Sequence, residues 1–237
     1  NSKIKMFVIY QFFISLILII SPFIIFVRLV SGKEDKKRFK EKLSLIDHKS
    51  LKGKTIWFHA ASVGEIMSIV EILRYYQKKR DIKTILVTTT TLSSARIVKK
   101  LKLNKVIHQF FPIDHFIIVK KFLNHWKPKI AIFLESEIWP CMFYQLFNKN
   151  IPLILLNARL TKKSFDRWMM IKNFAKKNFF LIKKSYPQNQ QTKFFLKKLS
   201  SRNSEQLGNL KFINNKLETK NISNKKIIKN LAKYKVW

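Results

Sequence analysis

Residues 55–65 read TIWFHAASVGE, and this stretch decides the fold. Its apolar start predicts a buried strand, a polar break follows, and a helical pattern begins at Gly64. The same succession recurs along the chain and predicts further strands and helices. The predicted strands are Thr55–His59, Thr84–Thr89, Lys105–Phe110, Ile130–Leu134, Leu153–Asn157 and Phe179–Lys183. The predicted helices are Gly64–Lys79, Leu92–Leu101, His115–Trp126, Ile138–Asn148, Ser164–Lys177 and Gln188–Leu199.

Strands made of continuous Ile, Leu, Val and Phe runs that alternate with helices are typical of a parallel sheet covered on both faces. The sequence therefore predicts an α/β domain over residues 51–212, with a Rossmann-like parallel sheet and right-handed crossovers. Residues 213–237 become rich in Asn and Lys and lose periodicity, so we expect a linker or tail there.

An uncharged apolar stretch runs from Met6 to Val27. At ~1.5 Å per residue it covers roughly 33 Å, enough to cross a membrane as one helix. A signal peptide would have a shorter apolar run with a small-residue cleavage site, and a buried core helix would show polar periodicity. We expect residues 1–31 to form a single-pass anchor, followed by a basic juxtamembrane segment at 32–50. The heavier basic flank follows the anchor, which predicts that the rest of the chain lies on the cytoplasmic face of the membrane.

The chain carries 48 Lys and Arg against 13 acids, for a formal net charge of +35. This balance favours an anionic partner such as acidic lipid, a phosphorylated substrate or nucleic acid, although part of it can be a solvated Lys-rich surface. The single cysteine excludes a disulfide within the chain. Glycine-rich nucleotide-binding loops are absent, and no histidine pair has metal-ligand spacing.

Glu65 is the first candidate for catalysis. It falls in the first turn of a predicted helix, just beyond the carboxyl end of a strand, where open α/β sheets place ligands. A carboxylate there suits proton abstraction from a hydroxyl, but acids in a first helical turn also act as caps. Gly64, one of only four glycines, indicates a tight turn or a close substrate approach.

Polar residues follow three other predicted strands. Glu135 and Glu137 come directly after the fourth strand, and Asn157 and Arg159 end the fifth. Arg159 suits a carboxylate or phosphate, or alternatively an ion pair with one of those acids. Thr88–Thr91 end the second strand. The carboxyl ends of parallel strands share one rim of the sheet, so we expect these groups to converge there.

The motifs HAASVGE, LESEIWP, LNARL and GNLKF (residues 208–212), in this order and spacing, resemble those of bacterial 3-deoxy-D-manno-octulosonic acid (Kdo) transferases. The resemblance implies the amino-terminal domain of a GT-B glycosyltransferase, which receives a lipid A precursor while a second domain binds the donor CMP-Kdo. It implies Glu65 as general base and Glu135 as a second acid. It also implies acceptor-side roles for a further set of residues, namely Ser62, Gly64, Glu137, Asn157 and Arg159. No catalytic metal, cofactor or nucleic-acid partner is expected.

The sequence departs from the family pattern in two places. Ser93 and Ser94 stand where the family usually has a Thr-Gly pair. The sequence given ends at Trp237, shortly after the GNLKF motif, so we expect a piece without the donor domain that is inactive alone. The alternative from another class is a non-catalytic, membrane-tethered basic module that binds anionic lipid or nucleic acid.

Overall fold

The computed structural model describes residues 2–46, 48, 53–201 and 203–210. Its centre is a parallel sheet whose strands are β1 (Lys54–His59), β2 (Ile82–Thr89), β3 (Val106–Phe110), β4 (Ile130–Leu134), β5 (Leu153–Ala158) and β6 (Lys184–Pro187). The strand order is β3-β2-β1-β4-β5-β6, the Rossmann order. The order reverses between β1 and β4, and open α/β sheets bind ligands at the carboxyl ends of the strands beside such a point.

Helices cover both faces of the sheet. In the described residues they are α1 (Ser2–Val30), α2 (Val63–Gln77), α3 (Leu92–Lys100), α4 (Phe116–Trp126), α5 (Pro140–Asn148), α6 (Lys162–Met170), α7 (Lys172–Phe180) and α8 (Gln190–Lys198), with a 3-10 turn at Phe39–Leu43. Adjacent residues of one strand point to opposite faces. Trp57 packs in the cluster that contains residues of α4 and α5, and Phe58 packs in the cluster that contains residues of α2. The predicted Rossmann-like α/β fold is confirmed.

The sixth strand was predicted in the wrong place. Phe179 lies in the last turn of α7 rather than at the start of a strand, and β6 lies at Lys184–Pro187. Phe179 and Ile182 are fully buried, but they fill the core from a helix end and a turn. The prediction of one helix at Ser164–Lys177 was also wrong, because the helix breaks at Ile171 into α6 and α7.

Helix α1 contains the apolar segment Met6–Val30, the one stretch of the described residues that is long and apolar enough to cross a membrane. Its first turns pack on the domain. The Phe7 ring lies 5.0 Å from the Tyr144 ring, and the Tyr10 hydroxyl donates to Asp114 at 2.6 Å. Sequence patterns did not predict this docking, because both contacts join residues more than 100 positions apart.

The segment predicted as a separate basic stretch, residues 32–50, packs in part on the edge strand β3. Buried Glu41 accepts a hydrogen bond from the Phe110 amide at 2.8 Å and pairs with Arg38 at 2.6 Å. The Arg38 guanidinium also donates to the His108 carbonyl at 2.9 Å. An uncovered edge strand exposes unpaired amides, so this segment shields β3. The predicted tail at 213–237 lies outside the described residues.

Candidate active site

Glu65 lies at the start of α2, beyond the carboxyl end of β1. Its carboxylate accepts hydrogen bonds from the Ser62 hydroxyl at 2.8 Å and from the Ala61 amide at 2.9 Å. The Glu65 amide in turn donates to the Ser62 hydroxyl oxygen, which caps the helix. This reciprocal arrangement is a variant of the capping box. The capping interpretation of Glu65 is therefore confirmed as local structure.

The surroundings of the Glu65 carboxyl group also shift its pKa. Glu65 is only 6% exposed, and this burial raises its pKa to about 7. The bonds from Ser62 and Ala61 act in the opposite direction, whereas the charges of Glu137 and Glu135 raise the pKa further. A pKa near the operating pH suits a general base, because the group is then both available and basic enough.

The Ala61 peptide is held by the neighbouring strand and helix. Its carbonyl accepts hydrogen bonds from the Thr90 and Ser94 hydroxyls, both at 3.1 Å. The other threonines of the predicted rim are also engaged: Thr88 bonds Trp57, Thr89 bonds His108, and Thr91 caps α3. The Thr90 and Ser94 hydroxyls therefore brace the Ala61 peptide next to Glu65, and the other threonine hydroxyls bond elsewhere in the domain.

Glu137 is held by two side chains. His59 Nε2 lies 3.1 Å and Trp139 Nε1 lies 3.0 Å from the same carboxylate oxygen. Burial acts to raise the pKa of Glu137, but the hydrogen bond and electrostatic attraction of His59, with the hydrogen bond from Trp139, outweigh it and hold the pKa below its usual value. Glu137 is therefore an anion beside Glu65.

The link between His59 and Glu137 was not predicted from the sequence. The ring is fully buried, and its Nδ1 lies 3.0 Å from the Thr88 hydroxyl. Because an ionised Glu137 only accepts, the facing Nε2 carries the proton in this network. The position of His59 in the sequence could have indicated a place in the site, because His59 is the last residue of β1 and lies at the same rim as Thr88.

Two residues at the rim have left-handed backbone. Glu135 has φ 51° just after β4, and Asn157 has φ 52° within β5. The backbone there is cross-linked, because the Glu135 amide donates to the Leu156 carbonyl at 3.0 Å and the Arg159 amide donates to the Glu135 carbonyl at 3.3 Å. Such conformations cost about 1–3 kcal/mol each and cluster at functional sites.

Asn157 and Arg159 differ in surroundings. Buried Asn157 accepts a hydrogen bond from the Leu210 amide at 3.1 Å, which fastens the start of the GNLKF motif to β5. The Arg159 side chain is exposed and makes no ion pair with the described part of the chain, so the alternative of an ion pair with Glu135 or Glu137 is not seen there. Its guanidinium is available to an anionic ligand.

Ser62 and Gly64 are both exposed beside Glu65. Gly64 lies inside the first turn of α2 and is not among the glycines with positive φ, so the first of its two alternatives, a tight turn, is wrong. An exposed position without a side chain leaves room for a close approach to the carboxylate. The structure thus brings Ser62, Gly64, Glu65 and Glu137 to one rim, with the charge of Glu135 acting on Glu65.

Comparisons with known proteins point to the same family as the four motifs HAASVGE, LESEIWP, LNARL and GNLKF. A family model described as 3-deoxy-D-manno-octulosonic-acid transferase (kdotransferase) matches residues 37–214. Curated relatives with that transferase name include one from Rickettsia bellii, 41% identical, where the match covers 88% of this chain and 50% of the relative. A second, from Haemophilus influenzae, is 34% identical, with 68% of this chain and 39% of the relative covered.

Among solved structures, a UDP-N-acetylglucosamine 2-epimerase aligns with a TM-score of 0.45 and 12% identity, over 62% of this chain and 45% of that chain. This likeness is too weak to bear on function. The chain spans about half the length of the Rickettsia relatives it matches. The family match covers most of the chain and includes every residue of the rim. This chain therefore belongs to the 3-deoxy-D-manno-octulosonic acid (Kdo) transferase family.

Proposed function

We propose that this chain is the acceptor-side part of an inverting GT-B transferase that moves Kdo from CMP-Kdo to a lipid A precursor. The observation that carries the proposal is the buried Glu65 carboxyl, with a pKa of about 7, at the switch point of a Rossmann-like sheet. The apolar helix α1 serves as the membrane attachment, and the domain lies on the cytoplasmic face of the inner membrane.

Glu65 acts as general base in a single displacement. Its carboxylate takes the proton of an acceptor sugar hydroxyl while that oxygen forms a bond to the anomeric carbon of Kdo. The bond from that carbon to the CMP phosphate breaks, and CMP leaves with the bonding electrons. General base catalysis of this kind contributes about 10²–10⁴-fold, and the remainder comes from positioning of the two substrates.

The residues around Glu65 adjust its basicity and position the acceptor. Burial raises the Glu65 pKa most, and the charges of Glu137 and Glu135 add to that effect. Arg159 binds an anionic group of a substrate, either a phosphate of the lipid or a carboxylate of the sugar. Exposed Ser62 and Gly64 border the acceptor hydroxyl, and Asn157 holds the start of the GNLKF motif against β5.

The donor is held by another part of the full-length protein. The described residues form one α/β unit whose rim is occupied by acceptor-side groups, and the Rickettsia bellii relative is about twice as long as the match. We therefore expect no Kdo transfer by these 237 residues alone. The expectation that no metal or cofactor takes part stays a prediction.

Glu65→Gln tests the proposal in a chimaera that joins this chain to the second half of the Rickettsia bellii relative. We expect turnover to fall by ~10²-fold or more with little change in acceptor binding. Glu71→Gln is the matched control, since Glu71 lies on the same helix and pairs only with Arg74 among the described residues. Near-normal turnover of Glu65→Gln would reduce Glu65 to a helix cap and refute the proposed mechanism.

A further inference from the structure

Between Met6 and Val30, helix α1 has one face that is more covered and one that is exposed. The buried or half-buried positions, most of which lie three or four residues from another, are Met6, Phe7, Tyr10, Gln11, Ile14, Ser15, Leu18, Ser21, Ile25, Arg28 and Leu29. The exposed face is made of large apolar side chains, namely Val8, Ile9, Phe12, Phe13, Leu16, Ile17, Ile19, Ile20, Phe23, Ile24, Phe26, Val27 and Val30. The two sides of the helix therefore differ in exposure, although both are mainly apolar.

The amino-terminal part of α1 is bonded to the loop that precedes α4. The Tyr10 hydroxyl donates to Asp114 at 2.6 Å, and Gln11 accepts from the Phe116 amide at 3.0 Å. Asp114 is 1% exposed and also receives the Cys141 and Met142 amides of α5, so it is a rigid part of the domain. These polar contacts fasten the start of the apolar segment to the catalytic domain.

The carboxyl-terminal end of α1 is tied to the same region. Arg28 pairs with buried Glu34 at 3.0 Å, and Glu34 also pairs with Lys42. The Lys42 carbonyl accepts from the Ile113 amide at 2.9 Å. Contacts from both ends of the helix therefore lead to the domain surface around residues 113–116.

The docking of α1 on the domain differs from what a helix that crosses the bilayer would show. Tyr10 and Arg28 are separated by roughly 27 Å along the helix axis, close to the ~30 Å thickness of the hydrocarbon core. If α1 crossed the membrane with Lys42 on the cytoplasmic side, Tyr10 and Gln11 would lie near the far leaflet. Asp114 would then lose its hydroxyl donor, and the Phe116 amide would lose its acceptor.

We infer that α1 lies along the domain within one leaflet, with its exposed apolar face in the acyl chains, rather than spanning the bilayer. The inference rests on the membrane attachment in the proposed function. The occupant of the face is lipid, because the face is continuous and apolar and a group of exposed lysines follows it, namely Lys33, Lys36, Lys37 and Lys40. Interfacial helices usually turn a polar face to water, and here the domain takes the place of water.

The arrangement brings the catalytic rim to the membrane surface. Asp114 joins α1 to the start of α5, and α5 follows directly on the segment that holds Glu135 and Glu137.

Depth measurements test the inference. Val8→Cys, Ile19→Cys and Val30→Cys each carry a nitroxide label in the full 237-residue chain, reconstituted in vesicles of phosphatidylethanolamine and phosphatidylglycerol. The three positions are exposed and lie on one side of the helix, since successive positions are separated by about three turns. The native chain is the blank, because its single cysteine, Cys141, is fully buried.

A helix lying in one leaflet gives the three labels the same depth to within a few Å, measured by oxygen and nickel-chelate accessibility. An upright helix places Ile19 ~16 Å deeper than Val8 and Val30, and that profile would overturn the inference. Labels that are all open to water would show that α1 is not in the membrane, which overturns the membrane attachment as well. The two failures are therefore distinguishable.

Discussion

Replacing Ser62 with alanine tests the role of the Glu65 carboxyl group, which both takes part in the cap of α2 and is the proposed general base. In the structure the Ser62 hydroxyl donates to Glu65 at 2.8 Å, and its oxygen accepts from the Glu65 amide. The alanine variant loses the bond that stabilises the Glu65 carboxylate as well as the helix cap. The bond from the Ala61 amide remains.

The effect on basicity follows from the strength of that bond. A hydrogen bond to a charged group contributes about 1.5–3 kcal/mol, which corresponds to roughly 1–2 pKa units. The pKa of Glu65 should therefore rise from about 7 towards roughly 8–9. At pH 7 the ionised fraction falls from about half to roughly one in ten or fewer, so we expect kcat/KM to fall ~5–50-fold.

The assay is the pH profile of Kdo transfer by the chimaera described above. We expect the acidic limb of the Ser62→Ala profile to move up by about 1–2 units, with activity recovering at high pH. Thr161→Ala is the control, because Thr161 caps α6 in the same way but does not contact Glu65. Both variants should lose about 1 kcal/mol of stability. An acidic limb that does not move in Ser62→Ala would refute the assignment of Glu65 as the base.

Three further predictions concern the rim and the anchor. Arg159→Ala should raise KM for the acceptor or donor ~10–100-fold with little change in kcat, whereas Arg167→Ala, also exposed, should leave both constants unchanged. The pKa of Asp114 is raised by burial to about 7, so the folded state keeps a proton that the unfolded state loses above its ordinary value of 3.8. The free energy of unfolding, followed by urea titration, should therefore fall as pH rises from about 4 to 7, and Asp114→Asn should reduce that slope. A reporter fused after Lys42 should remain cytoplasmic, and periplasmic activity would contradict the orientation.

The sequence predicted most of the sheet because four strands, β1, β2, β4 and β5, are mainly apolar and either end in polar residues or are followed by them. The sixth failed for a physical reason: Phe179 and Ile182 are as apolar as any strand residue, but they fill the core from the end of α7 and a turn. The actual β6 reads KSYP and carries the polar Ser185, which bonds the Asn203 carbonyl. An apolar run alone does not distinguish a strand from a buried helix end.

The acidic residues of the site were predictable from the sequence, but the side chains that hydrogen-bond them were not. Glu65, Glu135 and Glu137 follow strands in an acid-poor chain, and their position at one rim follows from parallel topology. The hydrogen bond between His59 and Glu137 joins residues that are 78 positions apart in sequence. Such a contact depends on the register of β1 against β4, which local patterns do not specify.

The two interpretations of Glu65 that the sequence left open are compatible. Capping supplies two hydrogen bonds that favour the charged carboxylate, and each alone would push the pKa below its ordinary value. Burial and the charges of Glu137 and Glu135 act against ionisation and dominate. A glutamate that capped an exposed helix would have a low pKa and would therefore be too weak a base for this chemistry. A buried glutamate without the capping bonds would stay protonated at neutral pH. The combination places the pKa near 7, and the capping bonds also fix the carboxylate in one orientation at the rim.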